Sequence, residues 1–65
     1  MAELSLEKVF SLLCTQHIKG SEKELKILCI RIGELVESNG EEWVTESRQS
    51  LLDEWEYIVS QGIIS

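Results

Sequence analysis

Residues 21–40, SEKELKILCIRIGELVESNG, carry the signals for one long helix. Ser21 followed three residues later by Glu24 is typical of a capping box, in which each side chain accepts a hydrogen bond from the other residue's backbone amide. Asn39 and Gly40 can both adopt the left-handed conformation that ends a helix. The stretch therefore predicts a helix over residues 22–38.

The apolar residues of this helix exceed what one buried face requires. A stripe with the 3.6-residue period of a helix consists of Leu25, Leu28, Cys29, Ile32, Leu35 and Val36. Ile27 and Ile30 fall on the other side, close to Glu34 and Glu37. A helix that is apolar on two sides needs two neighbours, so we expect it at the centre of the molecule or of a homodimer. We assign Ile27 and Ile30 to the dimer interface.

A first helix is predicted over residues 6–19. Residues 1–4 are expected to be frayed, and Ser5 is a candidate N-cap. Gly20 is expected to end the helix. Because Gly20 and Ser21 alone would then separate the first two helices, we expect these helices to form an antiparallel hairpin.

A third helix is predicted over residues 42–60, after the stop signal at Gly40. Gly62 follows the last apolar residues of this segment and can end it in the left-handed conformation. Ile63 would then pack on Ile58 in a Schellman motif.

These segments predict an all-α fold. The chain of 65 residues is expected to form one helical domain over residues 1–65, a small three-helix bundle made of the hairpin and the third helix. A core of this size supplies only a few kcal/mol of net stability, so dimerisation is one way to bury more apolar surface. The residues expected in the core are Leu6, Phe10, Leu13, Leu25, Leu28, Ile32, Leu35, Leu51, Trp55 and Ile58.

Charge is distributed unevenly along the chain. The net charge is −6, with five basic and four acidic residues in 1–33, but one basic and eight acidic residues in 34–65. Direct contact with nucleic acid or with an anionic membrane requires the opposite sign. Charges also run through residues 1–20, so we predict neither a signal peptide nor a membrane span. Two cysteines do not suggest a disulfide scaffold, and we expect a cytoplasmic protein.

Three soft metal ligands occur in the sequence, namely Cys14, His17 and Cys29, without the paired C-x-x-C spacing of a structural zinc site. Both cysteines are more simply interpreted as small core residues. His17 suits the negative C-terminal end of the first helix. No recurrent catalytic motif is present, so the sequence predicts no enzyme activity, no cofactor and no metal.

The third helix provides the best functional lead. One of its faces carries acids without any basic residue, and two aromatic residues lie on its flank. The predicted partner-binding residues are Glu42, Trp43, Glu46, Asp53, Glu56 and Tyr57. Aromatic anchors are typical of contact sites, but an acidic helix face can equally serve to keep a protein in solution.

Two hypotheses for the function follow. The first is a small acidic protein–protein interaction module, a self-associating adaptor or regulatory subunit whose partner has a basic surface. The alternative is an acidic inhibitor, of phage type or a mimic of nucleic acid, that occupies a basic groove of another protein. Salt separates the self-association of the first hypothesis from the charge mimicry of the second, because apolar contact between two copies survives about 0.5 M salt whereas charge mimicry weakens steeply.

Overall fold

Four helices make up the part of the chain that the structure describes. This computed structural model describes residues 3–63, which form α1 (Leu6–Leu13), α2 (Glu22–Asn39), α3 (Glu41–Glu46) and α4 (Arg48–Gln61). These residues contain no strand, so the predicted all-α class is confirmed. With α3 and α4 taken as two parts of the predicted third helix, a three-helix bundle remains a fair description.

The bounds of α2 follow its local sequence signals. The Ser21 amide donates to Glu24 Oε1 (2.8 Å) and the Glu24 amide donates to Ser21 Oγ (3.2 Å), which confirms the capping box. Gly40 follows the last turn with a φ of 91°, and its amide donates to the Val36 carbonyl (2.8 Å). α2 thus ends at Asn39, one residue beyond the prediction.

The first helix is shorter than predicted, because it ends at Leu13 instead of residue 19. Cys14 adopts the left-handed conformation there, with a φ of 56°. The Cys14 amide donates to the Ser11 carbonyl (3.3 Å) and the Thr15 amide donates to the Phe10 carbonyl (3.1 Å). These two bonds form a Schellman motif, which ends the helix without a glycine.

Residues 14–21 form the link between α1 and α2. The predicted end of the first helix at Gly20 and the predicted two-residue turn at Gly20 and Ser21 were therefore wrong. Trp55 of α4 is 3% exposed, and its indole Nε1 donates to the Lys19 carbonyl (2.8 Å). This contact attaches the link to α4.

Leu4 packs against the core instead of fraying as predicted. Its amide donates to the Cys29 carbonyl in α2 (3.3 Å), so the segment before α1 is attached to the longest helix. Ser5 caps α1 as predicted, because its Oγ accepts a hydrogen bond from the Lys8 amide (3.2 Å). The same expectation of fraying for Met1 and Ala2 lies outside the described residues.

The predicted third helix is divided at Ser47, which has a φ of −94° and a ψ of 8°. Arg48 Nη1 donates to the Thr45 carbonyl (2.9 Å) and so satisfies an acceptor at the end of α3. α4 ends as predicted, since Gly62 is left-handed (φ 68°) and the Ile63 amide donates to the Ile58 carbonyl (3.2 Å).

The core lies among all four helices. Its buried side chains are Val9, Leu12, Leu13, Leu28, Cys29, Ile32, Val44 and Trp55. Six residues predicted in the core are only half-buried: Leu6, Phe10, Leu25, Leu35, Leu51 and Ile58. Val9 and Leu12 are buried because the short α1 contacts α2, α3 and α4, and therefore presents more than one face to the core. None of the described helices has the length and hydropathy that a membrane crossing needs.

Candidate interaction surfaces

The predicted partner-binding residues all lie at the surface, as a contact site requires. The exposed side chains are Glu42, Trp43, Glu46, Asp53, Glu56 and Tyr57. Trp43 is 40% exposed and Tyr57 is 61% exposed, so both rings are accessible to another molecule.

The bend at Ser47 places these residues on two helices, where the sequence predicted one. The α3 patch consists of Glu42, Trp43 and Glu46. The α4 patch consists of Asp53, Glu56 and Tyr57, which line one shallow depression. The α3 and α4 helices contact one another directly, so the two patches belong to adjoining elements.

The acids of both patches have no basic partner among residues 3–63. The ion pairs there join Lys8 Nζ to Glu41 Oε1 (3.1 Å) and Arg31 to Glu54. The first pair links α1 to α3 and the second links α2 to α4, both at the surface of the bundle. The carboxylates of the patches are therefore not held in ion pairs within the described part of the chain and can act on an approaching molecule, and Lys19 borders the same cleft as Asp53 and Glu56.

The surroundings of the α4 patch are better defined than those of the α3 patch. Asp53 accepts a hydrogen bond from Gln49 Nε2 (3.1 Å), a neutral donor that fixes the carboxylate without cancelling its charge. Asp53 and Glu56 also border a cleft beside His17 and Lys19 of the link. This side of α4 is therefore shaped by both the helix and the link.

Ile27 and Ile30, the predicted dimer-interface residues, line an open groove between α2 and α4. Ile30 is 40% exposed, whereas Ile27 is half-buried and packs partly against the core. The other residues that line the groove are Arg31, Glu34, Trp55, Ile58 and Ile63. Ile58 and Ile63 were not predicted at this surface, although the Gly62 cap was a signal that the chain turns back there.

The two cysteines occupy different environments. Cys29 is 5% exposed in the core, and burial raises the pKa of its thiol, with a smaller contribution from the negative charge of Glu3. Cys14 is exposed, so the prediction of a core position is right for Cys29 and wrong for Cys14.

His17 lies in the link, beyond the end of α1 that it was expected to stabilise. The part of the chain described holds no cluster of three His, Cys, Asp or Glu side chains placed to bind a metal.

We expect the two thiols to react at very different rates. In the native protein an aromatic disulfide reagent should modify Cys14 quickly and Cys29 only after unfolding.

The native pKa of Cys29 is raised, so the stability that its neutral thiol contributes is present below the unfolded-state pKa of about 8.5 and lost as the pH rises through the native pKa. Cys29→Ala should therefore lose less stability than the wild type in alkaline solution. Two equally fast thiols in the native protein would contradict this account.

Comparisons with known proteins identify no relative: no family model fits the sequence, and no curated protein or solved structure matches it significantly.

Proposed function

We propose that this protein is a small cytoplasmic protein–protein interaction module, a self-associating adaptor or regulatory subunit whose partner presents a basic surface. The observation that best supports this proposal is the combination of unpaired carboxylates and exposed aromatic rings in the α3 and α4 patches. A face that serves solubility alone needs the carboxylates but not the rings. Tyrosine and tryptophan are enriched at the centres of protein interfaces.

The two kinds of side chain have different tasks in this proposal. Negative charge acts over a long range and mainly raises the rate at which a basic partner arrives. A buried aromatic ring acts only at contact and mainly sets how long the complex lasts. Trp43 is the better anchor of the two rings, because it lies between Glu42 and Glu46 on α3 and is already half covered by its own chain.

An acidic inhibitor is the second candidate, favoured by the concentration of charge on α3 and α4. Residues 41–61 hold six acids and one base, Arg48, a density that suits a groove built for nucleic acid. Competition separates the two candidates: nucleic acid should displace an inhibitor from its partner, but should leave an adaptor bound.

Charge reversal in the patches tests the proposal. The partner is isolated by affinity capture from the native host, and its binding kinetics are measured on a biosensor. Glu46→Lys combined with Asp53→Lys should slow association by about tenfold or more, because the long-range attraction is removed. Trp43→Ala should leave association nearly unchanged and speed dissociation by about tenfold or more.

A matched control variant carries two charge reversals outside the α3 and α4 patches. Glu7→Lys combined with Glu37→Lys alters the net charge identically on α1 and α2, and should leave the association rate nearly unchanged. If the two double variants bind at the same rate, the patches serve solubility and the proposal fails.

A further inference from the structure

We infer that the outer stripe of α2, defined as Lys23, Ile27, Ile30 and Glu34, binds a second copy of this chain with the two helices antiparallel. This inference deepens the self-association in the proposed function and rests on it, but is independent of the α3 and α4 patches.

Three members of the outer stripe, Ile27, Ile30 and Glu34, border the groove between α2 and α4, and Ile27 also packs partly against the core. At about 100° per residue the four members of the stripe fall within about 60° of one another, opposite Leu28 and Ile32. Leu28 and Ile32 are 2% and 1% exposed, whereas Lys23, Ile30 and Glu34 are exposed and Ile27 is half-buried. Three of the stripe's four members are therefore exposed to a second copy, and Ile27 is partly accessible beside them.

The order of residues in the outer stripe is self-complementary. Lys23 and Glu34 have their midpoint between residues 28 and 29, and so do Ile27 and Ile30. A two-fold axis at this point relates two antiparallel helices. It places Ile27 of each copy opposite Ile30 of the other, and Lys23 of each copy opposite Glu34 of the other. One axis thus satisfies the apolar pair and the charged pair together.

Lys23 and Glu34, at the two ends of the stripe, are available for pairing with a second copy. Neither Lys23 nor Glu34 takes part in the ion pairs found among residues 3–63. Arg31, the other base beside the groove, is already paired with Glu54 of α4. Lys23 and Glu34 are about 16 Å apart along the helix, too far to pair within one chain.

Charge also determines which face a second copy can approach. Residues 22–39 hold four acids and three bases, whereas residues 41–61 hold six acids and one base. Two copies that met through α3 and α4 would repel each other strongly, while two α2 helices meet close to neutrality. The stripe, with one base and one acid, also offers no advantage to a basic partner. Its chemistry therefore favours a copy of itself.

Charge swaps measured by sedimentation equilibrium of the full chain test this arrangement. The wild type should dimerise, and Lys23→Glu or Glu34→Lys should each weaken the dimer about tenfold, because two attractive pairs become repulsive. The two changes combined should restore wild-type affinity. A mixture of the two single variants should form a heterodimer, since each supplies the charge that the other lacks.

Controls separate this geometry from general effects of charge and folding. Lys19→Glu and Glu46→Lys make the same charge changes outside the stripe and should leave the dimer unchanged. Ile30→Glu should weaken the dimer at least a hundredfold, with helix content by circular dichroism unaltered because Ile30 is 40% exposed. Ile27 is unsuitable for this test, because it packs partly against the core.

Each failure has a distinct meaning. A wild-type chain that stays monomeric up to about 1 mM overturns the inference, and so does a combined swap that fails to restore the dimer. If Ile30→Glu is monomeric and still binds the basic partner, self-association is confirmed as separate from partner binding. If the patch variants lose the partner while the dimer stays intact, the dimer arrangement stands and the α3 and α4 patches are responsible for the partner.

Discussion

Replacing Trp55 with alanine should lower the free energy of unfolding by about 3–5 kcal/mol, the largest loss expected from any single substitution in this chain. Trp55 is 3% exposed and is the buried side chain that α4 contributes to the core. Its Nε1 also donates to the Lys19 carbonyl (2.8 Å), so alanine removes both the packing of the ring and the contact that holds the link. Urea unfolding followed by circular dichroism measures the loss.

The other tryptophan provides the control. Trp43 is 40% exposed, so Trp43→Ala should cost less than about 1 kcal/mol. Trp55→Phe keeps most of the ring but not the N–H donor, and should cost about 1–3 kcal/mol because the Lys19 carbonyl loses its partner. Similar losses for Trp43→Ala and Trp55→Ala would show that Trp55 does not anchor α4 and the link.

The second large effect is expected at Leu28, in the middle of α2. Leu28 is 2% exposed, and Leu28→Ala should cost about 2–5 kcal/mol through lost apolar burial and the cavity left behind. Since a small domain has a total stability of only about 5 kcal/mol, this loss should remove a large part of the stability and lower the midpoint of unfolding. Thermal and urea unfolding measure this loss.

Ile30→Ala is the matched control on the same helix, because Ile30 is 40% exposed. It should cost well under about 1 kcal/mol when measured in the monomer. A loss below about 0.5 kcal/mol for Leu28→Ala would mean that the stripe of α2 assigned to the core faces water.

The predictions that succeeded depended on local chemistry. The capping box of Ser21 and Glu24, the N-cap at Ser5 and the left-handed Gly62 all involve contacts within one helical turn. Such contacts join residues that are close together in the sequence, so the start of α1, both ends of α2 and the end of α4 were predictable.

The end of α1 was not predictable in this way, because its Schellman motif is centred on Cys14 and not on a glycine or an asparagine. Nothing near Cys14 resembles a stop signal, and cysteine rarely adopts a left-handed conformation. The link that follows is held by Trp55, far along the sequence, which donates to the Lys19 carbonyl. The two-residue turn inferred from Gly20 and Ser21 failed because α1 ends at Leu13.

The break between α3 and α4 at Ser47 has no glycine or proline beside it, so no signal in the sequence indicated it. The carbonyl of Thr45 is satisfied by the side chain of Arg48, a contact that periodicity does not reveal. The place of Trp43 and Tyr57 on the flank of the predicted helix left open whether Trp43 closes the end of the core, and the structure shows both rings exposed. The division of Trp43 and Tyr57 between two helices was not predicted, and the position of Ile63 in the lining of the groove was not predicted either.

The salt dependence of partner binding tests whether the negative charge of the α3 and α4 patches brings a basic partner to this protein. The dissociation constant for the captured partner is measured between about 0.05 and 0.5 M sodium chloride. We predict that the wild type weakens steeply over this range, and that the variant with Glu46→Lys and Asp53→Lys binds more weakly with a flatter dependence. A wild-type dissociation constant that stays the same across the range would contradict this role of the negative charge.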